Sequence, residues 1–321
     1  MTQLIIRRLV QMIPLLIGIT FLTFALINLI PGSPIQRYEF DPRARPQDIE
    51  NIRHNLGLDK PWPVRYVYWV KDALRGNLGY SLINAKPVTD RIVSRIPNTL
   101  ILTGTALILA ILFAVPLGIY AAVKRNTWFD HAVNVGSTAV FAVPSFWLGL
   151  LMIIVFAVKF KEWGLPSMPA SGTHNFRGES GLWDRIVHLA MPAIALALVQ
   201  LASWTRYVRS SMLEVIRQDY VRTAQAKGLR GQTILYVHAF RNAILPLITL
   251  IGLTLPDLFG GAFFIEVIFA WNGLGRLTVD ALNQRDYTLI MGVFTILAFL
   301  TLLGNLLADV LYAVFDPRIR Y

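Results

Sequence analysis

Six long apolar stretches, separated by polar segments, run along the sequence. Each has about 20 residues or more, the length that a helix needs to cross a hydrocarbon core of about 30 Å. The pattern therefore predicts six membrane-spanning helices, of which the fourth is interrupted by His188 and Gln200. The predicted spans are residues 9–30, 99–123, 133–158, 186–205, 243–266 and 289–315.

The first apolar stretch, residues 9–30, lies where a secretory signal would lie. A signal peptide has an apolar core of about 7–15 residues, followed by a small-x-small cleavage site. The stretch is longer than such a core, and no cleavage site of this kind follows it. We therefore predict a transmembrane helix that is retained.

Composition agrees with the apolar pattern. Of the 321 residues, 55% are hydrophobic and only 15% are charged, whereas soluble domains have roughly 45–50% and about 25%. This balance excludes a soluble enzyme and a disordered chain. The absence of cysteine excludes disulfides, thiolate catalysis and thiolate metal sites. The predicted fold class is an all-α polytopic membrane protein with six transmembrane helices.

The net charge of +11 would suggest nucleic acid in a soluble protein. Here most basic residues lie between the spans, so we predict contacts with membrane lipid and none with nucleic acid. The loops on the side of the N-terminus carry 13 basic and 4 acidic residues, and the two short loops opposite carry 6 and 5. The positive-inside rule then places both termini in the cytoplasm.

The long segment after the first span is predicted to be a small helical cap on the outer face. Pro46 is typical of a helix start and Gly57 of a helix stop, and residues 62–74 have aromatic side chains at helical spacing. The predicted domains are an N-terminal helix (1–30), the cap (31–94), a five-helix core (95–315) and a cytoplasmic tail (316–321).

Motifs of nucleotide binding and catalysis are missing from the sequence. It has no Gly-x-x-x-x-Gly-Lys-Ser/Thr loop, no His-Glu-x-x-His and no Gly-x-Ser-x-Gly. The five histidines are scattered. We therefore predict that the chain is not an enzyme and holds no metal.

The cytoplasmic segment 206–242, which we call the elbow, has a pattern of its own. Residues 211–227 contain no proline or glycine, and Gly228 and Gly231 follow them. The larger apolar residues form one stripe of an amphipathic helix, and a second short stretch, 233–242, leads to the fifth span. The stripe consists of Met212, Val215, Ile216, Tyr220 and Ala224. Two interpretations remain open: a helix lying on anionic headgroups, or a helical elbow that docks into a partner.

The elbow resembles the EAA loop of ABC importer permeases of the dipeptide/oligopeptide/nickel family, in its B-type subunit. Other parts of the chain are similar to the same family, so the resemblance extends from end to end. In place of the general Glu-Ala-Ala, this sequence has Arg222-Thr223-Ala224. The similar runs are DYVRTAQAKGL (219–229), HAFRNAILP (238–246), GLDKP (57–61), GNLGYS (76–81), GLGR (273–276) and DPRIR (316–320).

The resemblance implies a type I ABC importer permease in the inner membrane. A second permease, in a heterodimer, would complete the pathway, and one or two cytoplasmic ATPases would bind the ATP and Mg²⁺, so that no cofactor belongs to this chain. The coupling helix would be residues 214–228. Its implied contacts with the ATPase are Glu214, Asp219, Tyr220, Ala224, Gly228 and Leu229.

The resemblance also implies a substrate. An external binding protein would deliver di- or oligopeptides; nickel or another small solute is the alternative within the family. Outside the family, an ion-coupled secondary transporter, an intramembrane enzyme and a channel remain rivals. A secondary transporter would need an ion site at the midplane with paired halves, and no such halves are evident in the sequence.

Three carboxylates fall inside the predicted spans: Asp257, Glu266 and Asp309. Charged groups in a membrane are costly and are functional candidates. Glu266 and Asp309 lie near span ends, where they can reach the interface. Asp257 is deeper and follows Pro256, which removes a backbone donor, and Gly260 and Gly261 come one turn later. We predict that Asp257 and these glycines line the pathway; a structural hydrogen bond between helices is the alternative for Asp257.

The cap carries aromatic residues that suit an interaction surface. We predict that Trp62, Tyr66 and Trp69 take part in docking of the external binding protein. The alternative is that these rings pack within the cap.

Overall fold

The computed structural model describes residues 2–29, 35, 39, 45–55, 57–174, 181–260 and 262–315. Nearly all of these residues are helical. The described part has no strand, and its only β-type pairing is an isolated bridge between Tyr80 and Pro87. The predicted all-α fold class is confirmed.

Fourteen helices are used to describe the fold. They are α1 (Thr2–Leu29), α2 (Pro46–Asn55), α3 (Trp62–Ala73), α4 (Val88–Val93), α5 (Ile96–Val123), α6 (Trp128–Ala142), α7 (Ser145–Met152), α8 (Leu182–Val215), α9 (Asp219–Ala226), α10 (Leu245–Thr254), α11 (Asp257–Gly260), α12 (Phe263–Ile268), α13 (Leu274–Asn283) and α14 (Tyr287–Phe315). Two π-helical segments, Ile153–Lys159 and Ile234–Phe240, and the three-residue helices Phe160–Glu162, Gly231–Thr233 and Arg241–Ala243 accompany them.

Four helical segments of the described residues are long and apolar enough to cross a membrane. They are Thr2–Leu29, Val88–Val123, Leu182–Val215 and Tyr287–Leu311. Two further spans are counted only if a bent pair of helices is taken as one span: α6 with the helix from Ser145 to Glu162, bent by 100°, and Gly231–Ala243 with the helix from Pro246, bent by 48°.

The third span differs from the straight helix predicted over 133–158. It bends between α6 and α7, at Val143 and Pro144. Val143 has extended backbone angles (φ −96°, ψ 127°), because the ring of a following proline disfavours the helical region for the residue before it. Pro144 therefore ends α6 and starts a new helix in another direction.

The fifth span is also not the single helix predicted over 243–266. The chain forms α10, α11 and α12 in succession, with the first interruption at Leu255 and Pro256. The hydroxyl of Thr103 on α5 donates to the carbonyl of Leu258 at 2.9 Å, which satisfies one backbone group near this break. Gly261, between α11 and α12, lies outside the described residues.

The centre of the fold is the contact between α5 and α8. Small side chains of α5, among them Ala106, Ala110 and Ala114, are buried there. At Gly118 an added Cβ would lie 2.7 Å from Val208 and 2.8 Å from the carbonyl of Thr205. Such residues let two helix backbones approach closely, which is how helices associate within lipid.

At the edge of this core, α1 packs along α14. Arg8 and Asp309 form an ion pair of 2.8 Å, with both side chains partly exposed. We call this end of the two helices, at which α1 begins and α14 ends, the inner side. Asp309 thus lies near a span end, as the sequence indicated.

The cap keeps the two helices that were predicted. α2 begins at Pro46, and Gly57 after it has a positive φ of 62°. α3 covers Trp62–Ala73. Residues 31–44, apart from 35 and 39, and the predicted tail, 316–321, lie outside the described part of the chain.

Candidate functional site

The elbow contains the end of α8 and leads to the fifth span. The coupling helix predicted in it is not continuous in the structure. α8 ends at Val215 and a turn over 216–218 separates it from α9. The prediction of one coupling helix over 214–228 is therefore wrong, and Glu214 belongs to the last turn of α8. The predicted fourth span, 186–205, was correspondingly too short at its inner end.

The break in the elbow occurs without proline or glycine. Gln218 has extended backbone angles (φ −71°, ψ 150°), and its N–H donates to the carbonyl of Val215 at 3.0 Å. This three-residue hydrogen bond closes the last turn of α8 more tightly than an α-helix would. Tertiary packing of Val221, described next, holds α9 in its new direction.

α9 is anchored on one face and open on the other. Val221 and Ala224 are buried (1% and 4% exposed), and α9 packs on the π-helical segment Ile234–Phe240. Asp219 is exposed, and so are Tyr220 and Leu229. The prediction that Ala224 contacts a partner is wrong, because its side chain faces this chain itself. Val221 was missed, although its spacing from Ala224 (i, i+3) places both on one helix face.

Gly228 ends α9 in the left-handed conformation. Its φ is +71°, and no heavy atom lies within 4 Å of the position of an added Cβ. The N–H of Leu229 donates to the carbonyl of Ala224 at 3.4 Å, as expected for a helix that ends on a left-handed glycine. Gly228 is exposed, like Asp219, Tyr220 and Leu229, and we call these four residues the elbow surface.

A cleft of about 490 Å³ lies at the base of the elbow. Glu214, which the sequence assigned to the coupling helix, lines this cleft and is exposed, so its contact with a partner stays a prediction. The lining residues are Arg125, Leu213, Glu214, Arg217 and Gln218.

A buried ion pair lies close to the elbow. Arg209 of α8 donates from both Nε and Nη2 to the carboxylate of Asp130, the Nη2 distance being 2.7 Å. Asp130 is 1% exposed and also accepts from the backbone N–H of Asn126 (3.0 Å) and the amide of Asn134 (2.8 Å). The pair ties the start of α6 to α8 less than two turns before the elbow turn. Sequence reasoning did not single out this pair.

Asp257 is the exposed carboxylate of the broken fifth span. It follows the buried Pro256 and begins α11. Its side chain has no hydrogen bond or ion pair among the described residues, so the alternative, a structural hydrogen bond between helices, finds no support among them. Gly260, one turn later, is exposed as well, with no heavy atom near the position of an added Cβ.

Glu266, in the same span, is buried where Asp257 is exposed. It is fully buried (0% exposed), so the expectation that it reaches the interface is wrong. Its carboxylate accepts from the Thr99 hydroxyl (2.7 Å) and from the N–H groups of Gly275 (2.7 Å) and Arg276 (3.3 Å). Those N–H groups belong to the first turn of α13, where a negative charge is favourable.

Two glycines leave room for this carboxylate. A Cβ at Gly273 would overlap the carboxylate of Glu266, and a Cβ at Gly275 would lie 2.7 Å from the Cα of Phe263. The run 273–276, which carried part of the family resemblance, thus has a physical reason: its glycines let the start of α13 close around Glu266.

Comparison with known proteins agrees with this architecture. A family model described as "Binding-protein-dependent transport system inner membrane component" matches residues 114–321, and the model of its N-terminal part matches residues 1–103. The chain belongs to this family of inner-membrane transport components. Together the two models cover nearly the whole chain, and the gap between them falls within α5.

Curated relatives of this permease match along its full length. The oligopeptide transport system permease protein AppB of Bacillus subtilis is 41% identical over 322 residues, covering 100% of both chains. The dipeptide transport system permease protein DppB of Escherichia coli K12 is 40% identical over 343 residues, with 100% of this chain and 99% of the relative covered. The di/tripeptide transport system permease protein DppB of Pseudomonas aeruginosa is 39% identical over 339 residues, with the same coverage.

Membership settles the class of the protein. The chain is a membrane permease component of a binding-protein-dependent ABC transporter and not its catalytic subunit. The division of the chain into domains at residues 30 and 95 stays a prediction.

The aromatic residues of the permease's cap do not form one exposed surface. Tyr66 is 9% exposed and packs between Phe21 and Phe24 of α1, with ring centroids 5.4 and 5.5 Å away. The docking prediction is therefore wrong for Tyr66, and its ring packs on α1, whereas the alternative had placed it within the cap. Trp62, which is 41% exposed, and Trp69 remain predictions.

Proposed function

We propose that this permease is one half of the translocation pathway of an ATP-driven importer of di- or oligopeptides. Three relatives named for oligopeptide, dipeptide and di/tripeptide transport support the choice of solute, at 39–41% identity over the whole chain. The observation that carries the coupling mechanism is α9, a short helix anchored at Val221 and Ala224 and open at Tyr220 and Leu229.

We infer that the elbow surface docks into a cytoplasmic ATPase, with Asp219, Tyr220, Gly228 and Leu229 as the contacts. The ATPase, and not this chain, would bind ATP and Mg²⁺. To move a two-state protein from 1:99 to 99:1, a partner must supply about 5.5 kcal/mol of differential binding. Because α9 is fixed to its own chain by two buried side chains, a movement of the docked ATPase would also move α8 and the fifth span.

We further propose that the surface around Asp257 faces the pathway and a second permease, in a heterodimer. An exposed carboxylate is costly against lipid. Water in a pathway, or a positive group of a passing peptide, would remove that cost. Gly260, with nothing near its Cβ position, would leave room beside it.

The proposed orientation has both termini in the cytoplasm, which puts the elbow on the side of the ATPase. The outer side would receive the external binding protein, with Trp62 and Trp69 among its candidate contacts. The excess of basic residues in the loops of the inner side supports this orientation.

The proposal is tested by peptide uptake in cells that lack the gene and carry a variant on a plasmid. Gly228→Arg should reach the membrane at the normal level and reduce uptake of a radiolabelled dipeptide to background. The matched control is Gly164→Arg in an outer loop, because Gly164 has the same φ of +71° and the same open space at its Cβ position. This control should transport normally.

Equal loss of uptake in both variants, or normal uptake by Gly228→Arg, would overturn the docking assignment. Uptake into membrane vesicles distinguishes an ATP-driven importer from an ion-coupled secondary transporter. The importer needs ATP, whereas the secondary transporter needs only an ion gradient. Loss of nickel uptake in the deletion strain, with dipeptide uptake unchanged, would overturn the choice of solute.

A further inference from the structure

The helix α3 of the cap lies unusually close to the middle of α1. The hydroxyl of Tyr66 donates to the backbone carbonyl of Ile17 at 3.0 Å and lies 2.9 Å from the hydroxyl of Thr20. The ring of Trp62 is 5.8 Å from that of Phe21. These contacts attach α3 to the side of a membrane helix and not to its end.

The depth of α3 follows from the rise of α1. Measured from Arg8, which pairs with Asp309 at the inner side, Ile17 lies about 14 Å along the helix and Phe24 about 24 Å, at about 1.5 Å per residue. Leu29, the last residue of α1, lies about 32 Å along it. Since the hydrocarbon core is about 30 Å thick, the contacts of Tyr66 run from the middle of that core, at Ile17, into its outer half, at Phe24.

One flank of α3 carries two apolar residues that are uncovered in this chain. Val67 and Leu74, seven residues apart, lie on the same side of the helix, whereas Val70 between them is partly buried against Phe24 and Tyr66. Val67 is 65% exposed and Leu74, just after the helix, is 84% exposed. Asp72, five residues after Val67, lies on the opposite side of the helix and is exposed too. Lys71 lies beside the two apolar residues, where its long side chain can carry the ammonium group to the interface.

An exposed apolar surface of α1 lies at a similar depth. Leu22 and Leu26 are 61% and 63% exposed and lie about 21 and 27 Å from Arg8 along the helix. A helix of 12 residues is too short to cross the membrane. It has the features of an interfacial helix instead, with exposed aliphatic residues on one side and a charged residue on the other.

We propose that α3 is embedded in the outer leaflet, with the flank of Val67 and Leu74 against phospholipid acyl chains and Asp72 toward water. The occupant of this flank is therefore lipid, and the external binding protein would not reach it. The proposal rests on the orientation proposed above, and it does not depend on the transported solute.

The absence of cysteine from the chain makes a direct test possible. Val67→Cys and Leu74→Cys, each labelled with a nitroxide, are compared in phosphatidylethanolamine–phosphatidylglycerol nanodiscs with the matched control Asp72→Cys on the opposite flank. The measurement is the accessibility of each label to oxygen, which concentrates in lipid, and to a water-soluble nickel chelate. Two positions on the flank keep the test valid if one variant fails to fold.

The ratio of oxygen to nickel accessibility should be several-fold higher at Val67 and Leu74 than at Asp72. Nickel accessibility as high at Val67 and Leu74 as at Asp72 would show a flank in water and overturn the proposal. Shielding of both positions from both reagents would show a flank covered by protein, and this would overturn it as well.

Discussion

The fifth span carries two carboxylates nine residues apart, and the chain treats them in opposite ways. Glu266 is fully buried and accepts three hydrogen bonds, two of them from the start of α13. Asp257 is exposed at a helix break and has no hydrogen bond or ion pair within the described residues. The carboxylate of Glu266 thus finds its hydrogen-bond partners within the chain, whereas that of Asp257 finds none among the described residues.

The comparison shows that one span can contain both a structural carboxylate and a candidate functional carboxylate. A buried charge is tolerated where its hydrogen bonds are satisfied, and such a site holds the fold together. A carboxylate within a predicted span that has no partner among the described residues is a functional candidate. The outer end of the fifth span is therefore structural, and its broken middle is the functional candidate.

The largest expected effect is that of Glu266→Ala. It leaves the N–H groups of Gly275 and Arg276 and the hydroxyl of Thr99 without their acceptor. Hydrogen bonds to charged groups contribute about 1.5–3 kcal/mol each, so we expect the free energy of unfolding to fall by about 3 kcal/mol or more. Denaturant titration of the purified permease in mixed micelles measures this change.

The control for Glu266→Ala is Glu162→Ala. Glu162 pairs with Lys159 in an exposed ion pair (2.7 Å), and exposed pairs contribute about 0–1 kcal/mol. A loss of stability no larger than that of the control would contradict the structural role of Glu266.

An intermediate effect is expected for Thr99→Val. The hydroxyl of Thr99 donates to Glu266 and accepts from the N–H of Leu274 at 2.9 Å. Valine removes the acceptor of the Leu274 N–H and one of the three donors to the carboxylate of Glu266, at a cost of about 1–3 kcal/mol. The same denaturant titration measures it.

A double-mutant cycle sharpens this prediction. Combined with Glu266→Ala, the change Thr99→Val should cost less than it does alone, because residues of one hydrogen-bond network are not additive. Strict additivity of the two changes would contradict a shared network.

The sequence predicted much of the fold, because apolar length is a direct physical requirement of a bilayer. The helix breaks were less predictable. The sequence analysis noted that Pro256 removes a backbone donor, but it did not single out Pro144, since an apolar stretch continues past it. The turn at 216–218 has no proline or glycine to indicate it. It depends on the packing of Val221 and Ala224, which only the folded chain brings into contact with Ile234–Phe240.

For the two carboxylates, too, the sequence could not predict contacts between distant parts of the chain. The sequence analysis recognised that a carboxylate such as Glu266 is costly within a membrane. Its partners Thr99 and Gly275 are 167 and 9 residues away in the sequence, so no local sequence pattern could pair them with it. Asp257 was predicted to line the pathway because of its depth in the span and because Pro256 precedes it. The structure adds that it is exposed and, among the described residues, without a partner.

The smallest expected effect on stability is that of Asp257→Asn. The side chain has no hydrogen bond to lose within the described residues, so we expect the free energy of unfolding to change by no more than about 0.5 kcal/mol, as for ordinary surface substitutions. Uptake should change nonetheless, because the variant removes the charge from the proposed pathway. The measurement pairs denaturant titration with dipeptide uptake on the same preparation.

Asp257→Asn and Thr99→Val form a matched pair for the comparison. If the fifth span is divided as described, Asp257→Asn loses transport at unchanged stability, while Thr99→Val loses stability in the chain itself. Unchanged uptake of several peptides by Asp257→Asn would remove Asp257 from the pathway. A loss of stability as large as that of Thr99→Val would instead mean that Asp257 has a structural contact, and the contrast between the two carboxylates would then disappear.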